Sequence, residues 1–269
     1  MSEDALGFIR VAYYAGTLAT FAFLATWEGG DPRIAPRSSR WRHILRNVAV
    51  LGLVIVIADG VILGWLLGIN RRLTVSDGLL TALALPALAQ FALGFLLADF
   101  FDYGFHRLLH RWRWLWLIHS VHHSDPQVDV STGARFHPIE VTIEVALKSF
   151  LLLGLGIPLW VEGARAVLLN PINFYQHGNV EYPPWIERRL GWLLVTAEMH
   201  RLHHSPDRAE TDSNYGAVFS FWDRWFGTYT PPDPARGRSF GLRALTAEPW
   251  QTVGGMMLTP LRARGVETF

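Results

Sequence analysis

Ten of the chain's eleven histidines fall between positions 106 and 204, and their spacing is that of metal ligands. His106 and His110, in HRLLH, stand four apart, which on a helix stacks two imidazoles on one face, one turn apart. His119, His122 and His123, in HSVHH, add spacings of three and four, and His200, His203 and His204, in HRLHH, repeat that arrangement. Between the triplets lie RFHPIE, with His137, and NFYQHGN, with Asn173 and His177 again four apart. Imidazoles crowded together would repel one another when protonated and, if buried unpaired, would each cost about 1–3 kcal/mol. A bound metal removes both penalties. Eight or nine such ligands exceed the capacity of one ion, since zinc takes four and octahedral metals six, so two ions are expected.

Imidazole suits iron, zinc, copper or nickel, and ligand type alone does not choose among them. A hydrolytic zinc needs three protein ligands and a water, usually beside a carboxylate base, and no HExxH motif is present. Two redox-active irons near a membrane would instead fit attack by O2 on an unactivated C–H bond, the reaction open to an apolar lipid without a functional group. The absence of cysteine excludes thiolate zinc sites, iron–sulfur clusters and a cysteine nucleophile. There is also no GxGxxG nucleotide loop and no CxxCH haem attachment, so electrons are expected from an external donor of cytochrome b5, ferredoxin or reductase type. Two other classes compete with this oxygenase reading. One is a histidine-rich membrane metal transporter, whose ligands would sit at the bilayer midplane. The other is a zinc-dependent lipid hydrolase.

The elements that must position these side chains read as membrane helices. Half of the residues are apolar, only 17% are charged, and mean hydropathy is +0.19, too greasy for an ordinary soluble domain of this length. Lys and Arg total 24 against 23 Asp and Glu, so no strong field exists to gather nucleic acid. Ala5–Trp27, Val48–Ile69 and Leu79–Phe101 are each long enough to cross a hydrocarbon core of about 30 Å. The acidic leader before the first crossing lacks the positive region of a cleaved signal peptide, and the segment is expected to be retained. Asp59 sits near the middle of the second crossing, where a charge is costly. Residues 139–175 carry Glu140, Glu144, Lys148, Glu162 and Arg165 and are expected to form a helical hairpin around Gly156 and Pro158, spanning or re-entrant. Arg33, Arg37, Arg40, Arg42 and Arg46 follow the first crossing, against Arg71 and Arg72 after the second, which places the first loop and the histidines on the cytoplasmic side. The Arg/Trp run at 111–116 suits a headgroup boundary. The expected fold is all-α: a polytopic membrane helical bundle of three spans plus a short hairpin, with a cytoplasmic histidine-rich di-metal cap. Its parts are membrane helices at 1–98, a catalytic region at 99–230 and a cytoplasmic tail at 231–269, in a bacterial inner membrane or endoplasmic reticulum.

Three stretches between Asp99 and Tyr229 carry a family likeness: DFFDYGFHRLLH, LIHSVHHSDPQVDVSTGARFHPIE and EMHRLHHSPDRAETDSNYGAVFSFWDRWFGTY. Together they resemble the fatty acid hydroxylase and sterol desaturase superfamily of integral-membrane, histidine-rich di-iron enzymes. The resemblance implies that His106, His110, His119, His122, His123, His200, His203 and His204 are ligands of two irons, with His177 an extra ligand. Asn173 stands where some members carry a histidine, and it is a candidate either to coordinate metal or to reach a metal-bound water through its amide. His137 is a candidate ligand or supporting residue. The resemblance further implies an O2-dependent hydroxylase, or a desaturase, acting on a lipid or sterol-like substrate from the bilayer. Neutral imidazoles leave the charge of two cations uncompensated, and carboxylates are expected around them. Asp102, Glu140, Glu198 and Asp212 are the candidates, with Asp125 and Asp223 also flanking the triplets.

Overall fold

A computed structural model describes residues 3–70, 82–157, 159–233 and 239–268; the side chains of residues 58–70, Asp59 among them, lie outside the described set. The described residues form helices and short 3-10 turns, with one isolated antiparallel bridge between Leu194 and Phe219 and no strand. Three long helices come first: α1 (Glu3–Gly30), α2 (Arg40–Asn70) and α3 (Ala87–Arg111). Then follow α4 (Arg113–His123), α5 (Pro138–Leu155), α6 (Leu159–His177), α7 (Pro184–Leu190) and α8 (Ala197–His203). Short helices α9 (Arg208–Thr211), α10 (Phe221–Trp225) and α11 (Glu248–Gln251) precede α12 (Val253–Arg262).

Two described helices, Gly7–Gly30 and Ala87–Arg111, are long and apolar enough to cross a membrane. Along α1 the side chains of Phe8, Val11, Leu18 and Phe23 are more than 60% exposed. A continuous apolar face of that kind is costly against water and suits lipid. The expected second crossing, Val48–Ile69, lies within α2. The third differs from expectation. Its helix begins at Ala87 rather than Leu79, because Pro86 has no N–H to continue a helix and biases Leu85 away from helical geometry. Residues 79–81 lie outside the described set. The helix also runs ten residues beyond Phe101, to Arg111, so His106 and His110 extend the same rod that carries the apolar segment.

The apolar stretch after His137 forms two helices, α5 and α6. Gly156 closes α5 in the left-handed region at φ +65°, and the Ile157 N–H returns to the Leu152 carbonyl at 2.8 Å. The charges that interrupt this stretch turn inward. Lys148 Nζ lies 2.6 Å from Asp102 and 2.9 Å from Glu144, while buried Arg165 pairs with Asp102 and with Glu162 at 3.2 Å. Pairing among α3, α5 and α6 is what lets charged residues occupy apolar helices.

The C-terminal stretch expected as a tail folds back over the centre. Leu242, Leu245 and Ala263 pack against Trp116 and Leu117, and Met256 packs against Val50 and Val121. Gln251 donates to the Ser124 and Leu245 carbonyls. Residues 239–268 thus form the outer wall of α4, the helix that carries the first histidine triplet.

Candidate metal centre

Helical geometry divides each triplet between two sites. At about 100° per residue, positions four apart lie about 40° apart on a helix, whereas the third histidine is rotated to the other side. His119 and His123 of α4 join His106 and His110 of α3 and His203 of α8 in one group, whose nearest ring nitrogens lie within 4.8 Å of one another. His200 and His204 join His122 and His177 in a second group of the same compactness. The groups abut: the His123 and His204 rings stack with centroids 4.6 Å apart. All nine histidines singled out as candidate ligands therefore converge, and all but partly exposed His106 are buried.

Most rings are held from behind. His106 Nδ1 donates to the Tyr215 carbonyl at 2.9 Å, His203 to Ser213 at 2.7 Å, His177 to Asn173 at 2.8 Å and His122 to Arg135 at 3.3 Å. His119 Nδ1 donates to Glu140 at 2.8 Å, and His110 Nδ1 to Asp212 at 3.3 Å. A carbonyl only accepts, so each of the first four rings has its proton on Nδ1, and a neutral ring has no second proton. Yet Nε2 of His106 sits 3.0 Å from Nε2 of His203, and Nε2 of His177 sits 3.2 Å from Nε2 of His122. These are pairs of bare nitrogens facing each other. His110 Nε2, His119 Nε2 and both nitrogens of His123 are buried without any hydrogen-bond partner.

Protonation does not relieve the repulsion. Burial first, and then neighbouring histidines, hold His122, His123, His200, His203 and His204 well below the ordinary histidine range, and burial pushes His119 down to about 3. Lone pairs converging in two buried clusters, with the opposite nitrogens of most rings anchored, form a donor set that fits two imidazole-binding cations. The carboxyl groups of Glu140 and Asp212 stand behind His119 and His110 of the first group, whereas backbone carbonyls stand behind His122 and His177 of the second.

The other candidates take different places. His137 caps α5, its Nδ1 accepting from the Ile139 N–H at 3.2 Å and its Nε2 reaching the Met257 carbonyl at 3.3 Å, outside both groups. The Asn173 amide donates to the Gly133 carbonyl at 2.8 Å, so Asn173 meets the site through its own backbone oxygen, which holds His177. Two expectations are corrected. Asp102 is turned toward Lys148 and Arg165, and Glu198 toward Arg33 and Arg201; neither pairs with a histidine. A carboxylate close in sequence to these histidines pairs with one only if no stronger cation competes, and here arginine or lysine wins. Asp125 pairs with His43, and Asp223 accepts the Tyr215 and Gly216 N–H groups at 2.8 Å each. Asp223 thereby fixes the loop whose Tyr215 carbonyl holds His106. The backbone acceptors at Gly133, Arg135, Ser213 and Tyr215 were not foreseen, because a carbonyl has no residue type to read. The SNY of SNYGAVF was its one trace.

Fold and site together define an all-helical protein with two adjoining histidine clusters beneath apolar helices. The family model for fatty acid hydroxylase matches residues 91–228, just over half of the chain, and includes every histidine of both clusters. The chain belongs to the fatty acid hydroxylase family. It is 35% identical over 155 residues to the ornithine lipid hydroxylase OlsE of Rhizobium tropici, covering 56% of this chain and 45% of that protein. Alkylglycerol monooxygenases are also similar: 32% over 149 residues in Xenopus tropicalis and 32% over 148 residues in Danio rerio, each covering 52% of this chain and 30% of the relative. The chain thus spans less than half the length of these relatives. No solved structure matches it.

Proposed function

We propose that the chain is a membrane-bound, O2-dependent di-iron hydroxylase acting on a C–H bond of a lipid. The observation that carries this reading is the pair of bare-nitrogen contacts, His106 with His203 and His122 with His177, whose protons are already committed to carbonyls. One iron would be held by His106, His110, His119, His123 and His203, and the other by His122, His177, His200 and His204. Bound there, the two irons would supply the reducing centre at which O2 is activated. Hydroxylation consumes O2, two electrons and two protons and yields an alcohol and water, so an external donor must deliver the electrons; a cytochrome b5, ferredoxin or reductase fits that need.

The protein's own part is orientation, charge and exclusion of water. Carbonyls of Ser213, Tyr215, Asn173 and Arg135 keep the Nδ1 protons in place and the Nε2 lone pairs inward. With metal bound, Glu140 and Asp212 would offset part of the cationic charge. Burial of the rings keeps bulk water from an oxidising centre. The substrate would enter laterally from lipid along the apolar helices, with α1, α2 and α3 crossing the bilayer, α5 and α6 as a membrane hairpin, and the histidines on the cytoplasmic side beside the five arginines at 33–46. The ornithine lipid and the alkylglycerol named for the relatives indicate a lipid as the substrate class. Desaturation shares the initial hydrogen abstraction and then removes a second hydrogen instead of adding oxygen.

Comparative lipid mass spectrometry of aerobic cells with the gene, without it, and with His203→Ala tests the reaction. A lipid heavier by one oxygen only in cells with the intact gene supports hydroxylation; one lighter by two hydrogens points to desaturation; an identical lipid profile in all three contradicts the proposal.

A further inference from the structure

His43, the histidine outside the 106–204 stretch, is buried near the start of α2. Its Nε2 lies 2.9 Å from Asp125, and its Nδ1 lies 3.0 Å from Asp129. Both partners are carboxylates, so both ring nitrogens donate, and the ring is an imidazolium. Burial alone would depress its pKa, but the two carboxylates outweigh burial and push it up to about 10.

The same carboxylates organise the neighbouring turn. Asp125 accepts from Thr132 Oγ1 at 2.8 Å, and Asp129 accepts the Ser131 N–H at 2.8 Å, closing the 3-10 turn Val130–Ala134. Asn47, one turn along α2 from His43, donates to Ser131 Oγ at 2.9 Å. This turn leads to two carbonyls that face the second cluster. That of Arg135 accepts from His122. That of Gly133 accepts from the Asn173 side chain at 2.8 Å, while the Asn173 carbonyl holds His177. The approach is tight: a Cβ on Gly133 would come within 2.9 Å of Asn173 Nδ2 and 3.4 Å of His177 Nδ1.

We propose that His43 is a positioning residue for the second cluster: clamped between Asp125 and Asp129, it fixes the turn whose Arg135 carbonyl aims His122 and whose Gly133 carbonyl holds Asn173, which in turn aims His177. It acts through hydrogen bonds and does not touch the metal. The inference rests on the two-metal reading, and it gives α2 a part in metal binding besides anchoring the chain.

The test exploits the donor pattern. In His43→Gln the side chain offers one donor and one acceptor where two donors are needed, so an oxygen faces a carboxylate. Adding Asp129→Asn restores the match: the asparagine amide donates to the glutamine oxygen, and its carbonyl still accepts from Ser131. Purified full-length wild type, H43Q and H43Q/D129N are loaded with isotopically enriched ferrous iron, counted by elemental mass spectrometry and examined by Mössbauer spectroscopy. H43Q is expected to lose the signal of one iron, with affinity there weakened about tenfold or more, and to keep the other. The double variant is expected to regain both, and it decides the matter if H43Q alone does not fold. A folded H43Q with wild-type iron content and both signals, or a folded double variant that stays depleted, overturns the proposal while the two-metal reading stands. Wild-type protein that takes up no iron overturns that reading itself.

Discussion

Glu140 accepts the Nδ1 proton of His119 at 2.8 Å, with the two side chains 3% and 2% exposed. The carboxyl group fixes the ring, and ionised beside a bound cation it would offset part of that charge. Glu140→Gln keeps the shape and loses the charge, so metal affinity at that cluster should fall about 10- to 100-fold. Metal titration of the purified variant checks this; affinity equal to wild type would show that the pair only packs α5 against α4.

His203 and His204 are neighbours in sequence but belong to different clusters. His203→Ala and His204→Ala should each deplete one metal, and the spectroscopic signals lost should differ between them. Activity should drop to background in both. If both variants lost the same signal, the division into two groups would be wrong.

The metal-free protein should be acid-labile. Burial pushes His119 down to about 3 and, with neighbouring histidines, keeps His122, His123, His203 and His204 low, whereas in the unfolded chain each titrates near 6.5. Below about pH 6.5 the unfolded state therefore takes up protons that the folded state refuses, and stability is lost at about 1.4 kcal/mol per pH unit for each such histidine. Thermal unfolding in detergent from about pH 8 to about pH 5 should show Tm falling steeply once the pH drops below about 6.5. A flat profile would mean that the rings are solvated.

Asp99, fully buried on α3, accepts from the Val218 and Phe219 N–H groups and from Trp222 Nε1 at 2.8–3.2 Å. Asp99→Ala orphans these donors, each at about 1–3 kcal/mol, and should loosen the loop that also carries Ser213 and Tyr215. Tm should fall clearly, and metal should leave the first cluster faster. Unchanged hydrogen exchange at Val218 and Phe219 would contradict this account.

The ligand types were legible because a helix converts spacing into direction: the histidines four apart in HRLLH, HSVHH and HRLHH share a face. Which histidine joins which cluster was not legible, since that depends on how α3, α4, α6 and α8 meet. Carboxylates were harder. Glu140 and Asp212 do back a histidine, but Asp102 is drawn off by Arg165 and Lys148, and a lysine isolated in sequence gave no sign of that pairing. His43 was legible only as an outlier, because its partners lie more than 80 residues away. Pro86 carried a local signal that the hydropathy of the third crossing obscured.

Elemental analysis of anaerobically purified protein bears most directly on the two clusters. About two irons per chain, falling to about one in His203→Ala or His204→Ala, is the outcome expected of sites with five and four histidines. A single tightly held zinc, or no metal after loading with ferrous iron, would contradict it.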